Sequence, residues 1–274
     1  MIPSKGALIL VLSPGRSGTH FLFSLCSTLP GVSAYHEPQP TLSCYEFAQG
    51  ELSMKESAEI INQKTKKILE SIRNSRCSTY IETSHTLLHH TLVPSPLIEG
   101  LLRSIDNRLI GVILLKRNLA EVMFSRARLG HMTRYVNAGK YYYRGVGWIY
   151  TPNSKNASLC PIKPDKQLTQ LELLAGYVLN VENISKEFLA HYKEHPNVRI
   201  FEIKLDDLAN NLEKVLGMMD FFDLEYDKKK LERIQHHGRT NQRAENKRLA
   251  QARDGVEYTL EECREVLDFY RRNI

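Results

Sequence analysis

The sequence predicts an α/β domain with a mostly parallel sheet flanked by helices. Two observations carry this reading. Short runs rich in Val, Ile and Leu alternate with longer amphipathic stretches, an order that lays successive strands parallel and sets helices on both faces of the sheet. The 274 residues are 42% hydrophobic and 25% charged, ordinary globular composition, with enough chain for a sizeable core in a single domain over 1–274.

In order along the chain, residues 7–13, 32–35, 79–82, 109–115 and 198–203 read as strands. Leu22, Leu25, Cys26 and Leu29 recur at helical spacing after the first strand, as do Leu205, Leu208, Ala209 and Leu212 after the last; each set predicts one helix with a buried stripe. Thr259 and Glu262 stand three apart ahead of Cys263, Val266, Leu267 and Tyr270, the pattern of a capping box that opens a C-terminal helix. Residues 130–166 break the rhythm with YYYRGVGWIY, several Gly and Pro, and the only Trp of the chain. They read as a long loop that walls or covers a substrate pocket. The apolar run 7–12 is far too short to cross a bilayer, so no membrane span is expected.

The formal charge of +6 is concentrated: residues 228–253 carry nine Lys or Arg against two Glu. Such a run is usually a solvated helix face, and it is also a place where an anion can be gripped. It holds no aromatics to stack on bases, so nucleic acid is not an expected partner. Five cysteines, an odd number without a C-x-x-C pair, predict reduced thiols in a cytoplasmic protein and no metal site.

The chemistry gathers at SPGRSGT, residues 13–19, between the first strand and the first helix. A strand that turns through glycine into a helix leaves several backbone N–H groups aimed at one spot, where the helix dipole also favours negative charge. Gly15 and Gly18 allow close approach, Ser17 and Thr19 add hydroxyls, and Arg16 adds a fork of donors suited to phosphate or sulfate oxygens. The turn is not the kinase and NTPase loop G-x-x-x-x-G-K-[ST]: Ser13 replaces its first Gly, and Thr19-His20 follows where Lys and a hydroxyl should stand. No Asp ends a later strand to hold Mg²⁺; the strand at 79–82 offers only Glu82.

SPGRSGTHFL resembles the phosphosulfate-binding loop of the sulfotransferase family, whose cosubstrate is 3'-phosphoadenosine 5'-phosphosulfate (PAPS), in the Arg-Ser-Gly-Thr form of the carbohydrate and tyrosylprotein branches. LLKRNLAEVMFS resembles the family's signature for the nucleotide 3'-phosphate, with Arg117 at a strand end and Ser125 eight residues on, about two helical turns away. FEIKLDDL is similar to a third, strand-to-helix element of the family. The chain departs from the pattern at Leu119, where Pro is frequent, and at His20, where a second Thr is frequent. The resemblance implies a P-loop-containing nucleotide-binding fold and sulfuryl transfer from PAPS, without metal, to a hydroxyl or amine of a small molecule, glycan or peptide. It further implies that Gly15, Arg16, Ser17, Gly18, Thr19, His20, Arg117, Ser125 and Arg239 hold the nucleotide. The alternatives are a P-loop kinase or NTPase and a non-catalytic nucleotide- or nucleic-acid-binding module.

The transfer needs a base for the acceptor proton, and three residues qualify. Glu37 ends the second strand, with Pro38 expected to hold it extended, twenty residues beyond Ser17, about where relatives carry an acidic base. His85 follows the third strand, and His36 is a neighbour able to tune the site. Tyr142 and Trp148 in the aromatic segment are the natural acceptor wall.

Overall fold

The structure is a computed structural model that describes residues 7–40, 42, 54–75, 77–84, 93–105, 109–128, 134–137, 140–143, 169–236 and 258–273. Five parallel strands form one sheet: β1 (Leu8–Leu12), β2 (Val32–Tyr35), β3 (Thr79–Glu82), β4 (Ile110–Lys116) and, last in the chain, β7 (Val198–Lys204). Their spatial order is β2-β3-β1-β4-β7. Each lies within a residue of the bounds read from the sequence; the central strands β1 (LILVL) and β4 (IGVILLK) are near-continuous apolar runs covered on both faces, whereas the edge strands β2 and β7 are partly exposed.

Alternation along the strands divides the core in two. Leu8, Leu10 and Leu12 of β1, with Ile110, Val112 and Leu114 of β4, face α2 (Met54–Asn74), α3 (Pro96–Ser104) and the end of α5 (Gln170–Tyr192). Ile9 and Val11, with Ile113 and Leu115, face α1 (Thr19–Cys26) and α7 (Leu212–Phe221). A third cluster joins α4 (Leu119–Arg128) and α5 to the C-terminal helix α8 (Leu260–Arg272). The capping box of α8 is present, the Thr259 side chain accepting from Glu262 N–H and Glu262 accepting from Thr259 N–H.

Two expectations are corrected. The stripe from Leu205 to Leu212 belongs to two helices, α6 (Leu205–Asn210) and α7, because Asn211 leaves helical geometry (φ −123°, ψ 95°) and caps α7 through its side chain to Lys214 N–H. The segment 130–166 is not all loop: β5 (Arg134–Asn137) and β6 (Lys140–Tyr143) pair antiparallel, with Tyr142 opposite Tyr135. Among the described residues no helix is long and apolar enough to cross a membrane.

Candidate functional site

The connection leaving β1 runs to one side of the sheet and that leaving β4 to the other, so the carboxyl ends of these adjacent strands form a topological switch point. The loop 13–18 leaves β1 there, and Arg117 follows β4 there. Gly15, Arg16 and Gly18 have left-handed backbones, with φ of 66°, 52° and 89°. At Gly18 space is as restrictive as conformation, since a Cβ would stand 2.3 Å from Leu205 Cδ1 on α6. Gly18 is the N-cap of α1, with no capping side chain and no acidic residue in the first turn. The first bond inside the helix is Leu22 N–H to Gly18 C=O, at 2.9 Å, which leaves the N–H groups of Thr19, His20 and Phe21 at the open, electropositive end.

The cradle is braced by its own residues and from below. Gly15 N–H donates to Ser13 Oγ (3.2 Å), and the buried Ser17 hydroxyl donates to Gly15 C=O (3.0 Å), so Ser17 shapes the loop. The Pro14 carbonyl accepts from Tyr177 OH (2.5 Å) and from Arg126 Nη2 (2.8 Å). Arg126 is only 1% exposed, and its guanidinium lies 4.7 Å from the Tyr177 ring centroid, where burial strengthens the cation–π contact. The two motifs meet above this brace. Arg16 Nε donates to Ser125 Oγ (3.2 Å), Arg117 Nη1 donates to the Arg16 carbonyl (2.6 Å), and Arg117 Nε pairs with Glu121 (3.1 Å). Three guanidinium groups thus surround one loop, with Glu121 a counter-charge for Arg117, an arrangement that favours a multiply charged anion.

A second group of residues stands at the ends of β2 and β3. His36 Nδ1 and Thr83 Oγ1 are 3.0 Å apart, and the His36 ring lies 5.3 Å from that of the exposed His20 and 5.9 Å from Phe23, tying this group to the first turn of α1. Glu37 is not extended, as Pro38 led us to expect: its φ is +49°, in the left-handed region. The residue before proline disfavours the right-handed helical region, so a chain that must turn sharply between His36 and Pro38 has this less common way out.

Beneath Glu37 lies a pair the sequence reading missed. Lys64 of α2 and Glu82 of β3 are 1% and 0% exposed and stand 2.8 Å apart. Glu82 also accepts from Tyr80 OH and Ser84 Oγ, each at 2.7 Å, while Lys64 Nζ donates to the Pro38 carbonyl at 3.0 Å. Burial lowers the Lys64 pKa, opposed by the Glu82 charge; burial, then Glu82, pushes the Tyr80 phenol well up. Lys64 shares the buried face of α2 with Ile61 and Ile68, at spacings of three and four. Arg126 likewise follows buried Val122 and Met123 on α4. A cation on an apolar stripe was the available signal in both cases.

Of the other expected residues, His85, Trp148 and Arg239 lie outside the described residues, and only the backbone of Tyr142 lies within them. Glu82, the acidic group a metal at that strand end would need, is already committed to three donors.

The fold and the cradle define a P-loop-type α/β nucleotide-binding protein. The sulfotransferase domain family matches residues 7–262, and the chain belongs to that family. No curated protein matches it. Solved structures similar in fold include mouse sulfotransferase SULT7A1 complexed with PAP (13% identity, 84% of this chain and 64% of that one, TM-score 0.37). The sulfotransferase domain of the curacin biosynthetic pathway is 15% identical over 81% of this chain and 76% of its own, with a TM-score of 0.42. That of the Synechococcus PCC 7002 olefin synthase is 14% identical over 83% and 78%, also at 0.42. The chain therefore spans less than two thirds of the mouse protein.

Proposed function

We propose that this protein transfers the sulfuryl group of PAPS to a hydroxyl or amine acceptor and releases 3'-phosphoadenosine 5'-phosphate (PAP). The observation that carries the reading is the contact of the two motifs, Arg16 with Ser125 and Arg117 with the Arg16 carbonyl, at the switch point. The N–H groups of 19–21 and Arg16 hold the phosphosulfate end, and Arg117 with Ser125 holds the 3'-phosphate. In the transfer the acceptor oxygen or nitrogen attacks sulfur in line, the bond from sulfur to the 5'-phosphate oxygen breaks, and the acceptor proton goes to Glu37. Arg16 and the loop N–H groups stabilise the charge left on the departing oxygen. No metal enters the scheme.

Glu37 is favoured as the base over His85 because the His36–His20 ring contact keeps its segment against the first turn of α1. The Arg-Ser-Gly-Thr loop supports the carbohydrate or tyrosylprotein branch, with a glycan, peptide or small-molecule acceptor, and the reduced thiols Cys26, Cys77 and Cys263 suit a cytoplasmic setting. The nucleic-acid reading is weakened because two cations of the basic run bind the protein's own surface: Lys228 pairs with Glu213 and Lys230 donates to the Thr28 carbonyl. The test is transfer of label from [35S]PAPS to a panel of phenols, sugars and tyrosine peptides. With the acceptor it reveals, Glu37→Gln lowers turnover by ~10²- to 10⁴-fold and leaves PAP binding intact. If His85→Asn abolishes turnover while Glu37→Gln retains it, the base is His85.

A further inference from the structure

Glu37 is held in the left-handed region with proline following it, a conformation that persists only where its surroundings over-determine it. Two contacts do so. His36 on one side is fastened to Thr83, and the Pro38 carbonyl on the other accepts from Lys64 Nζ. Lys64 is itself fixed by Glu82, which Tyr80 and Ser84 orient in turn, so the chain of contacts runs from the interior of β3 to the backbone beside Glu37. A buried ion pair is a poor device for stability alone, because an apolar pair of the same volume serves as well or better. An apolar side chain at position 64 could not, however, donate to the Pro38 carbonyl.

We infer that the buried Lys64–Glu82 pair is a positioning strut that sets the backbone at Pro38 and thereby aims the Glu37 carboxylate toward the cradle. Lys64 and Glu82 act on the substrate only through Glu37, so the inference rests on the reading of Glu37 as the base. Lys64, Glu82 and Tyr80 form one unit, with the Lys64 charge compensated inside the protein and its remaining donor capacity directed at the site.

The test is the carboxyl carbon resonance of Glu37 in 13C-glutamate-labelled protein, assigned as the signal missing from Glu37→Gln, and its response to PAP. In the wild type PAP, binding nearby with its negative charge, shifts that resonance. In Lys64→Met/Glu82→Gln, which removes both charges at nearly constant volume, the affinity for PAP is unchanged but the shift is lost. Turnover with an acceptor from the panel falls about 10²-fold, and adding Glu37→Gln to the double variant costs less than the same substitution does in the wild type. If the double variant does not fold, Lys64→Leu/Glu82→Gln, which likewise leaves no buried charge and keeps an acceptor for the Tyr80 and Ser84 hydroxyls, carries the same readout. A PAP response that survives in the folded variant overturns the strut, as does its absence from the wild type. Full turnover in Glu37→Gln instead overturns the base reading, and the strut's role with it.

Discussion

Arg16 and Arg117 meet at the loop after β1 but are held differently, and this separates what each does. Arg117 is fixed by the Arg16 carbonyl and Glu121, whereas Arg16 reaches Ser125 through Nε. Arg117→Ala is expected to weaken PAP binding by about 10- to 100-fold, the loss of about 1.5–3 kcal/mol from hydrogen bonds to a charged group. Arg16→Ala is expected to slow turnover by ~10²- to 10³-fold. Calorimetric titration with PAP checks the first, and unchanged affinity would sever Arg117 from the nucleotide. The residues at the cradle could be read from the sequence because they are local in it, on one loop and one strand end. Lys64 and Arg126 could not be assigned partners, since Glu82 and Pro14 lie far away in the chain and only the folded sheet brings them together.

At the scale of elements, packing turns on how closely helices approach the sheet. Gly111 of β4 lies under Phe222, and a Cβ there would meet two ring carbons at 2.7 and 2.9 Å and Ile9 Cγ1 at 3.0 Å. Gly111→Ala is expected to destabilise the fold by about 1–3 kcal/mol through overpacking. Gly217, inside α7, has nothing within 4 Å of an added Cβ, so Gly217→Ala is expected to stabilise it by up to about 1 kcal/mol. Urea unfolding of the two variants measures both, and effects of the same sign would contradict the packing described. The central strands β1 and β4 were legible because each is an apolar run between polar turns. The break at Asn211 was not, because Leu212 keeps the apolar rhythm while the Asn211 side chain restarts the helix. Glu37 misled in the opposite direction: proline preference gave an extended residue, and tertiary contacts on both sides chose the left-handed one.

Across the whole molecule, burial holds protons that the unfolded chain gives up. The Cys26 thiol is pushed up to about 12 and Cys263 to about 11, both chiefly by burial, and the Tyr270 phenol to about 12 by burial and then its bond to Glu172. Folded pKa values above unfolded ones of about 8.5 for thiols and 10 for phenols mean that the native state binds more protons above these values. The stability these groups contribute is fully present below pH ~8.5 and is lost as pH rises toward 11–12. Melting temperatures should therefore fall steadily between pH 8.5 and 11, and the fall should be shallower in Cys26→Ala; a flat or rising profile would contradict the burial of these groups. In the proposed function, the switch point between β1 and β4 is a site for a nucleotide carrying both a 3'-phosphate and a 5'-phosphosulfate. Thermal melting with PAP in the presence of EDTA tests it most directly. PAP at a hundredfold excess over its dissociation constant should stabilise the fold by about 2.7 kcal/mol without any metal, and ATP with Mg²⁺ should do less. Stabilisation by ATP with Mg²⁺ and none by PAP would contradict it.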